Sequence, residues 1–245
     1  MITKTEIIVF RKVDYSESST IVTVLSREHG KIALMVRGAR KPKSKFSGMM
    51  QPGNLLNAVY YYKASRNVQT LSEASYDYRH KTIFVDIEKM ALSTSALELI
   101  AQLVHENEVN EPIFEFTRNF LEWLDVQESI SRNIFPYLQI RLAFLLGLEL
   151  QIQELNHITN SGYLNIQDGT VSRKAENANA IRLTENQLIF LKHCTVSRKL
   201  SIFDIDLNNS ELRSLIDYLD KYFRYHLDGV RPRRSDAIFD QILNT

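Results

Sequence analysis

The sequence predicts an α+β fold, in which a small β-barrel at residues 1–80 precedes an all-helical domain at residues 81–245. Two observations support this prediction. Five short runs rich in β-branched residues occupy the first part of the chain, and beyond residue 81 the spacing of the apolar residues changes from about two to about 3.6. Charge changes at the same place: residues 1–80 contain 13 lysines and arginines against 6 aspartates and glutamates, and the remainder contains 17 against 23.

The five predicted strands are short and closely spaced. They are Ile7–Phe10, Ile21–Leu25, Lys31–Arg37, Leu55–Tyr62 and Val68–Leu71. Gly30, between the second and third strands, suits a tight hairpin turn because glycine tolerates a positive φ. Five short strands predict a closed or partly closed barrel, and the OB-fold is the common barrel of this size that binds nucleic acid. An SH3-like barrel fits the same pattern.

The second part of the chain carries signals for helices. Helices are predicted to begin at residues that favour N-caps, namely Asp86, Asn110, Thr184 and Asn208. A further helix is predicted from about Asn133 to Leu146, ending at Gly147. The helix after Asn208 has a continuous apolar stripe from Leu212 to Leu227. Residues 151–182 are polar, contain two glycines and show no long apolar period. They are predicted to form a polar insertion in the helical domain.

Catalytic and metal-binding motifs are not found. The sequence has neither a CxxC nor an HExxH motif, and its six histidines are scattered, so no metal ligands or cofactor are predicted. Asp204 and Asp206 are the best candidates for a nuclease carboxylate pair. Their alternation with apolar residues is explained more simply by a segment that has one solvent-exposed face and one buried face. The single cysteine, Cys194, is expected to be a small core residue. We therefore expect no catalytic residues.

The location of the protein is predicted from its first residues and its hydropathy. The N-terminal residues lack the long apolar core of a signal peptide, and no apolar run approaches the roughly 18 residues of a membrane span. One cysteine rules out an intramolecular disulfide. We expect a cytoplasmic protein that does not contact membranes.

A basic segment follows the third predicted strand and is the main candidate for binding DNA. Five cations fall within nine residues, namely Arg37, Arg40, Lys41, Lys43 and Lys45. A flexible cationic arm beside a barrel can follow a phosphate backbone, since each neutralised phosphate releases counterions. A solvated hairpin is the alternative. Further candidate DNA-binding residues are Arg11 and Lys31 in the strands, and Arg233 and Arg234 near the C-terminus, where the cluster could also be a helix-terminal counter-charge.

Aromatic residues of the barrel could stack on bases. Tyr60, Tyr61 and Tyr62, with Phe10 and Phe46, are candidates for such a platform. Strand alternation places Tyr60 and Tyr62 on one face and Tyr61 on the other. Packing in the core is at least as good an explanation for either set.

Several motifs resemble the RecO family of recombination mediators. The matching residues are Asp14-Tyr15-Ser16-Glu17, Glu28-His29-Gly30-Lys31, Arg37-Gly38-Ala39-Arg40-Lys41 with Ser44, Gln51-Pro52, Ala96-Leu97-Glu98-Leu99, Gly147-Leu148, Arg224-Tyr225-His226-Leu227 and Arg234-Ser235. The resemblance covers essentially the whole chain. It implies an N-terminal OB-fold, a helical C-terminal domain and binding of single- and double-stranded DNA. It also implies annealing of complementary strands, and cooperation with RecR in loading RecA onto DNA coated by single-strand-binding protein, whose C-terminal tail would be a further partner.

One departure from the family concerns zinc. Many relatives carry a four-cysteine zinc module after the helix that ends in Gly-Leu, which here falls within residues 151–182. This segment contains no cysteine, so a metal role is not carried over. Outside the family, the alternative function is a general OB-fold RNA- or DNA-binding accessory module with a helical protein-interaction domain.

Overall fold

The computed structural model describes residues 1–46, 48–153, 161–196 and 203–235. The chain forms two compact units, Met1–Glu128 and Ser129–Thr245. The border that we predict at residues 80/81 marks the change from strands to helices, whereas the compact units divide after Glu128. As a border between functional domains it stays a prediction.

The first unit begins with the five predicted strands. They are β1 (Ile2–Asp14), β2 (Thr20–Ser26), β3 (Gly30–Val36), β4 (Leu55–Tyr61) and β5 (Val68–Tyr78). The sheet closes into a barrel in the order β1-β2-β3-β5-β4, with β4 pairing back onto β1. Only β3 and β5 run parallel among these neighbours. The first and last strands are longer than predicted.

Alternation along the strands builds the barrel core. Inward residues of every strand are buried, including Val9, Val24, Leu34, Leu56 and Leu71. The β2–β3 turn depends on Gly30, whose φ is +64° and whose added Cβ would lie 1.9 Å from the Glu108 carbonyl oxygen. This position therefore excludes other residues for two reasons, the backbone conformation and the lack of space.

Two helices complete the first unit, α1 (Ile87–Leu103) and α2 (Glu111–Val126). The predicted caps are confirmed: the Asp86 carboxylate accepts from two backbone N–H groups of α1, and the Asn110 side chain accepts from the Ile113 N–H. Ion pairs attach α2 to the barrel. Glu6 on β1 binds Arg118 of α2, and it also binds Arg27 of the β2–β3 turn. Polar contacts therefore join the helices to the strands within one unit.

The second unit contains three helices, α3 (Ile134–Leu145), α4 (Glu185–Val196) and α5 (Asn209–His226). The predicted helix starts at Thr184 and Asn208 are both confirmed, and each has a capping box. Inside the unit, the Gln139 amide of α3 donates to Asp220 of α5 over 2.7 Å. The helices pack around buried aliphatic and aromatic side chains, among them Phe135, Leu138, Phe190, Leu215 and Phe223.

The prediction of an all-helical C-terminal domain is wrong. Four strands, β6 (Gln151–Ile152), β7 (Ser161–Asn165), β8 (Thr170–Ser172) and β9 (Ala180–Thr184), form a sheet in the order β6-β8-β7-β9. This sheet occupies most of the segment that we predict to be a polar insertion. Its strands are two to five residues long, so alternation is too brief to stand out, although Leu164, Val171 and Leu183 are buried.

Candidate nucleic-acid interface

The segment between β3 and β4, residues 37–54, is called the basic loop. Its side chains Arg37, Lys41 and Lys43 are exposed and form no hydrogen bond or ion pair with other residues that the structure describes. As far as the described residues go, these three side chains are free to turn toward a phosphate. They are the part of the predicted site that the structure leaves available.

Arg40 attaches the start of the basic loop to the β1–β2 turn, residues 15–19. Its Nη1 donates to the Ser16 carbonyl over 2.7 Å, and its Nε lies 3.3 Å from the Asp14 carboxylate. The Arg40 backbone N–H also donates to the Ser18 carbonyl over 3.2 Å. Because the guanidinium presents several donors in a rigid fork, one side chain can join both partners.

The rest of the basic loop is anchored in the barrel. Phe46 and Met50 are buried with the core cluster, and Asn54 donates from its amide to the carbonyls of Gly48 and Met49, both over 2.9 Å. Lys45 donates to the Ser72 carbonyl of β5 over 3.1 Å. The basic loop is thus fixed at its beginning and end, and it presents its cations from a supported backbone.

Lys31 and Arg11 occupy different surroundings. Lys31 Nζ donates to the Ala101 carbonyl in the last turn of α1 over 2.8 Å, which places a positive charge at the negative end of that helix. Burial lowers the pKa of Lys31, Glu106 partly raises it, and the charge of nearby Arg11 lowers it further. The contact with the Ala101 carbonyl gives Lys31 a structural role, and its binding of DNA stays a prediction. Arg11 is exposed on β1, where its Nε donates to Thr23 Oγ1 over 3.2 Å.

Arg233 also has a structural role. It is buried, donates from Nη1 to the Asp220 carboxylate over 2.6 Å, and lies with its guanidinium carbon 4.8 Å from the centre of the Phe135 ring. These contacts give Arg233 a structural role, and its binding of DNA stays a prediction. Arg234, the next residue, is exposed in the second unit.

The aromatic candidates differ in how far their side chains are exposed. Tyr60 is fully buried, and its hydroxyl lies 2.9 Å from Ser26 Oγ and 2.7 Å from His29 Nδ1. Burial raises the pKa of Tyr60 to about 12. Tyr62 stacks on the His29 ring at 3.7 Å between ring centres, whereas Tyr61 is 50% exposed. Phe10 and Phe46 are buried. Tyr61 is therefore the one residue among these candidates whose side chain stays largely open to a base.

Two further cations were missed by sequence reasoning. Lys63 and Arg66 are exposed in the β4–β5 turn, residues 62–67. Gln69 shapes this turn: its Oε1 accepts from the Lys63 N–H over 2.9 Å, and its Nε2 donates to the carbonyls of Lys63 and Arg66. The sequence contains only a weak sign of this pair, namely two cations separated by two small residues just after the three tyrosines.

The four-cysteine zinc module that the family resemblance implies for many relatives does not fit the residues of the β6–β9 sheet. Buried Asn165 is the last residue of β7, where its amide donates to Ser172 Oγ over 3.0 Å and its carbonyl oxygen accepts from the Glu176 N–H over 2.9 Å. Within the described ranges no three His, Cys, Asp or Glu residues group closely enough to hold a metal ion. Hydrogen bonds from a neutral side chain thus join the turns of this sheet.

The remaining candidates for chemistry have ordinary surroundings. Cys194 is buried, and burial raises the pKa of its thiol. Asp204 and Asp206 are exposed on either side of half-buried Ile205. Across the described helices, none combines the length and apolar character required to cross a bilayer.

Comparisons with known proteins agree on one family. Residues 1–77 match the family model described as "Recombination protein O N terminal", and residues 85–236 match "Recombination protein O C terminal". The chain is 28% identical to the DNA repair protein RecO of Salinibacter ruber, over 98% of this chain and 94% of that protein. It is 32% identical to the protein of the same name from Chlorobium phaeobacteroides, over the full length of both chains. A RecO of Exiguobacterium sibiricum is 31% identical over 100% of this chain and 98% of its own.

Proposed function

The chain belongs to the RecO family of DNA repair proteins, and we propose that it is a non-enzymatic recombination mediator that binds single- and double-stranded DNA through its barrel. The exposed cations of the basic loop are the observation that carries this proposal. Arg37, Lys41 and Lys43 are held on a supported backbone and have no partner among the described residues. Contacts to phosphates alone carry no base information, so the proposed binding is independent of sequence.

The topology of the barrel supports the same conclusion. Five strands in the order β1-β2-β3-β5-β4, with β3 and β5 parallel, have the arrangement of an OB-fold. OB-folds bind oligonucleotides on the face of their second and third strands and with the loops that follow the first and fourth strands. In this chain the first of those loops, the β1–β2 turn, is the element to which Arg40 attaches the basic loop.

The distribution of charge also supports this location. The first unit, residues 1–128, contains 16 lysines and arginines and 16 aspartates and glutamates, yet its strands and turns up to residue 80 hold 13 of those cations. The acidic residues are concentrated in α1, α2 and the segments beside them. Because Arg27 and Arg118 are paired with carboxylates, the unpaired positive charge lies mainly on the basic loop and the turns.

In the proposed mechanism the basic loop binds the phosphates of one DNA strand and leaves the bases of that strand free to pair. Annealing then proceeds when a complementary strand meets the held strand. We further propose the partners that the family resemblance implies: RecR, the C-terminal tail of single-strand-binding protein and, indirectly, RecA. The proposal places the protein in the cytoplasm.

Annealing of complementary oligonucleotides, bare and coated with single-strand-binding protein, tests this proposal. The protein is expected to accelerate annealing of both, and to bind single-stranded DNA and duplex. Binding without any acceleration of annealing would instead support the general OB-fold RNA- or DNA-binding module. Metal-dependent cleavage of the oligonucleotides would contradict the assignment of a non-enzymatic role.

A further inference from the structure

The side chain of His80, in the segment between β5 and α1, is fully enclosed and bonded to the basic loop. It is 0% exposed, and its Nε2 lies 2.9 Å from the carbonyl oxygen of Gly53. A carbonyl can only accept, so Nε2 carries the hydrogen and donates it. Burial lowers the pKa of His80, although the hydrogen bond to Gly53 opposes this effect. The ring is therefore neutral at pH 7, with its single hydrogen directed at the loop.

Gly53 lies at the end of the basic loop, where the chain enters β4. It is buried, and its N–H donates to the Val9 carbonyl of β1 over 2.8 Å. The Val9 N–H in turn donates to the Asn54 carbonyl over 3.1 Å. Backbone bonds thus fasten one side of this corner to the barrel, and the His80 ring satisfies the carbonyl that is left.

The same corner supports the middle of the basic loop. The Asn54 side chain is buried, and its amide donates to the carbonyls of Gly48 and Met49, both over 2.9 Å. The Asn54 N–H also donates to the Gln51 carbonyl over 3.1 Å. Hydrogen bonds therefore run from His80 through residues 53 and 54 to residues 48 and 49, just after the exposed cations of the loop.

Asp125 of α2 fixes His80 from behind. Its carboxylate accepts from the Tyr78 hydroxyl over 3.1 Å and from the backbone N–H groups of Lys81 and Thr82 over 2.9 and 2.8 Å, so it binds residues on both sides of the histidine. The Nδ1 of His80 lies 3.9 Å from this carboxylate and has no hydrogen-bond partner among the described residues. Within that part of the chain, the ring uses its polarity only toward the basic loop.

From these contacts we infer that His80 is a positioning residue for DNA binding, which orders the basic loop so that Arg37, Lys41 and Lys43 are presented to phosphates from a fixed backbone. The inference rests on the proposed function, in which those cations hold the strand. His80 does not touch DNA, because its side chain is enclosed. A loop that is ordered in advance loses less conformational freedom on binding, and this raises affinity.

Two amides of different length test the inference in the full-length protein. The side-chain nitrogen of His80→Gln reaches about as far as Nε2 and can donate to Gly53, whereas that of His80→Asn reaches only the position of Nδ1. Fluorescence anisotropy with oligo(dT) is expected to show an affinity about two- to tenfold lower for His80→Asn, the range of one hydrogen bond. His80→Gln is expected to bind like the wild type. The slope of log affinity against log salt should stay the same, because the cations remain.

Limited trypsin digestion measures the order of the loop without DNA. Lys43 and Lys45 are exposed cleavage sites inside it. Cleavage follows the population of the open form, so His80→Asn should be cut after these lysines about two- to tenfold faster than the wild type. His80→Gln should be cut at the wild-type rate. His105→Asn, which changes an exposed histidine between α1 and α2, is the control and should be normal in both assays.

Urea denaturation establishes that each variant is folded under the assay conditions. Asn54→Ala removes the next bonds of the same path and serves as a second variant in case His80→Asn does not fold. It is expected to lower affinity and speed cleavage in the same way. Unchanged affinity and cleavage in folded Asn54→Ala would overturn the path through the loop.

The outcomes separate positioning from a purely structural role. If folded His80→Asn is less stable but keeps wild-type affinity and cleavage, His80 does not position the loop. An equal loss of affinity in His80→Asn and His80→Gln would also overturn the inference, and so would a smaller salt slope, which indicates lost phosphate contacts. If the wild type binds no oligonucleotide but His80→Asn is still cut faster, the proposed function fails and the anchoring of the loop by His80 is upheld.

Discussion

The guanidinium of Arg40 donates a 2.7 Å hydrogen bond to the carbonyl oxygen of Ser16, which joins the basic loop to the turn between β1 and β2. The sequence alone predicts a flexible cationic arm at this place. The structure instead shows a loop whose first residues are held by the Arg40 side chain and backbone, and whose end is buried through Phe46 and Met50. Arg40 therefore positions the cations that are proposed to bind DNA.

Replacing Arg40 by lysine distinguishes positioning from charge. Lysine keeps the positive charge but lacks the fork that reaches both Ser16 and Asp14. Since exposed ion pairs contribute about 0.2–1 kcal/mol, we expect Arg40→Lys to lose up to about fivefold in DNA affinity, nearly as much as Arg40→Ala. Anisotropy with one oligonucleotide measures both variants. A lysine variant that binds like the wild type would show that only the charge of Arg40 matters.

Arg233 is expected to affect stability. Removing one partner of a buried ion pair leaves the other charge buried and unpaired. Arg233→Ala should therefore destabilise the protein by about 3 kcal/mol. Urea denaturation measures the loss, and Arg182→Ala, which removes an exposed cation of the same unit, is the control. Reduced DNA affinity of the folded Arg233→Ala protein, without a change in stability, would contradict the buried position of this side chain.

Much of the fold could be predicted from short-range patterns. The alternation of apolar residues locates all five barrel strands, and capping side chains such as Asp86 and Asn208 locate the starts of helices. These signals are local, because a strand face or a cap needs only residues a few positions apart. The β6–β9 sheet was missed since its strands are too short for alternation to be distinguished from a polar loop.

The site could be predicted only in part, because exposure depends on partners distant in sequence. Alternation correctly places Tyr60 and Tyr61 on opposite faces, but it does not tell which face is inside the barrel. Likewise, the cluster of arginines near the C-terminus suggests a DNA surface or a helix-terminal counter-charge. The contacts of Arg233 with Asp220 and Phe135 of other elements cannot be read from that cluster. Local charge thus predicts a candidate, whereas tertiary contacts decide whether it is available.

The stability of the first unit should depend on the charge of Asp125. Burial raises the pKa of this carboxyl, but hydrogen bonds from the backbone N–H groups of Thr82, Lys81 and Ile83 outweigh burial and bring the pKa to about 2. Because the pKa is lower in the folded state than its ordinary value of 3.8, the stabilisation is present above pH 4 and is lost as the pH falls from about 4 to about 2. At neutral pH it amounts to about 2 kcal/mol.

Asp125→Asn is accordingly expected to lower the free energy of unfolding by about 2 kcal/mol at pH 7 and by much less near pH 2.5. Urea denaturation at the two pH values measures the difference. Glu73→Gln is the control, since Glu73 is exposed on β5 and should change stability by less than about 0.5 kcal/mol at either pH. If Asp125→Asn lowers the free energy of unfolding equally at both pH values, the ionised carboxylate does not have this role.

Asn165 should stabilise the β6–β9 sheet without metal. Its replacement by alanine leaves the buried Ser172 hydroxyl and the Glu176 N–H without this partner, at a cost of about 1–3 kcal/mol. Asn179→Ala, at an exposed position of the same segment, is expected to be neutral. Elemental analysis should find far less than one zinc per chain, and a chelator should leave the unfolding transition unchanged. Stoichiometric zinc with unfolding on chelation would refute this account.

The three available cations of the basic loop provide the sharpest test of DNA binding. The triple variant Arg37→Ala/Lys41→Ala/Lys43→Ala removes side chains that have no partner among the described residues, so stability should change by less than about 0.5 kcal/mol per site. If each cation contacts one phosphate of a single strand, the slope of log affinity against log salt should fall by about 2, at about 0.7 per contact. The loss should be the same for every base sequence, because phosphates do not encode sequence.

A charge-matched variant separates local contact from net charge. Lys174→Ala/Arg182→Ala/Arg224→Ala also removes three exposed cations, all from the second unit. This control is expected to keep nearly the full salt slope and affinity, since only cations that neutralise a phosphate release counterions. Annealing should fall with binding in the loop variant alone. If both triple variants lose affinity equally, the overall field of the protein holds the DNA, and the basic loop has no special role in binding it.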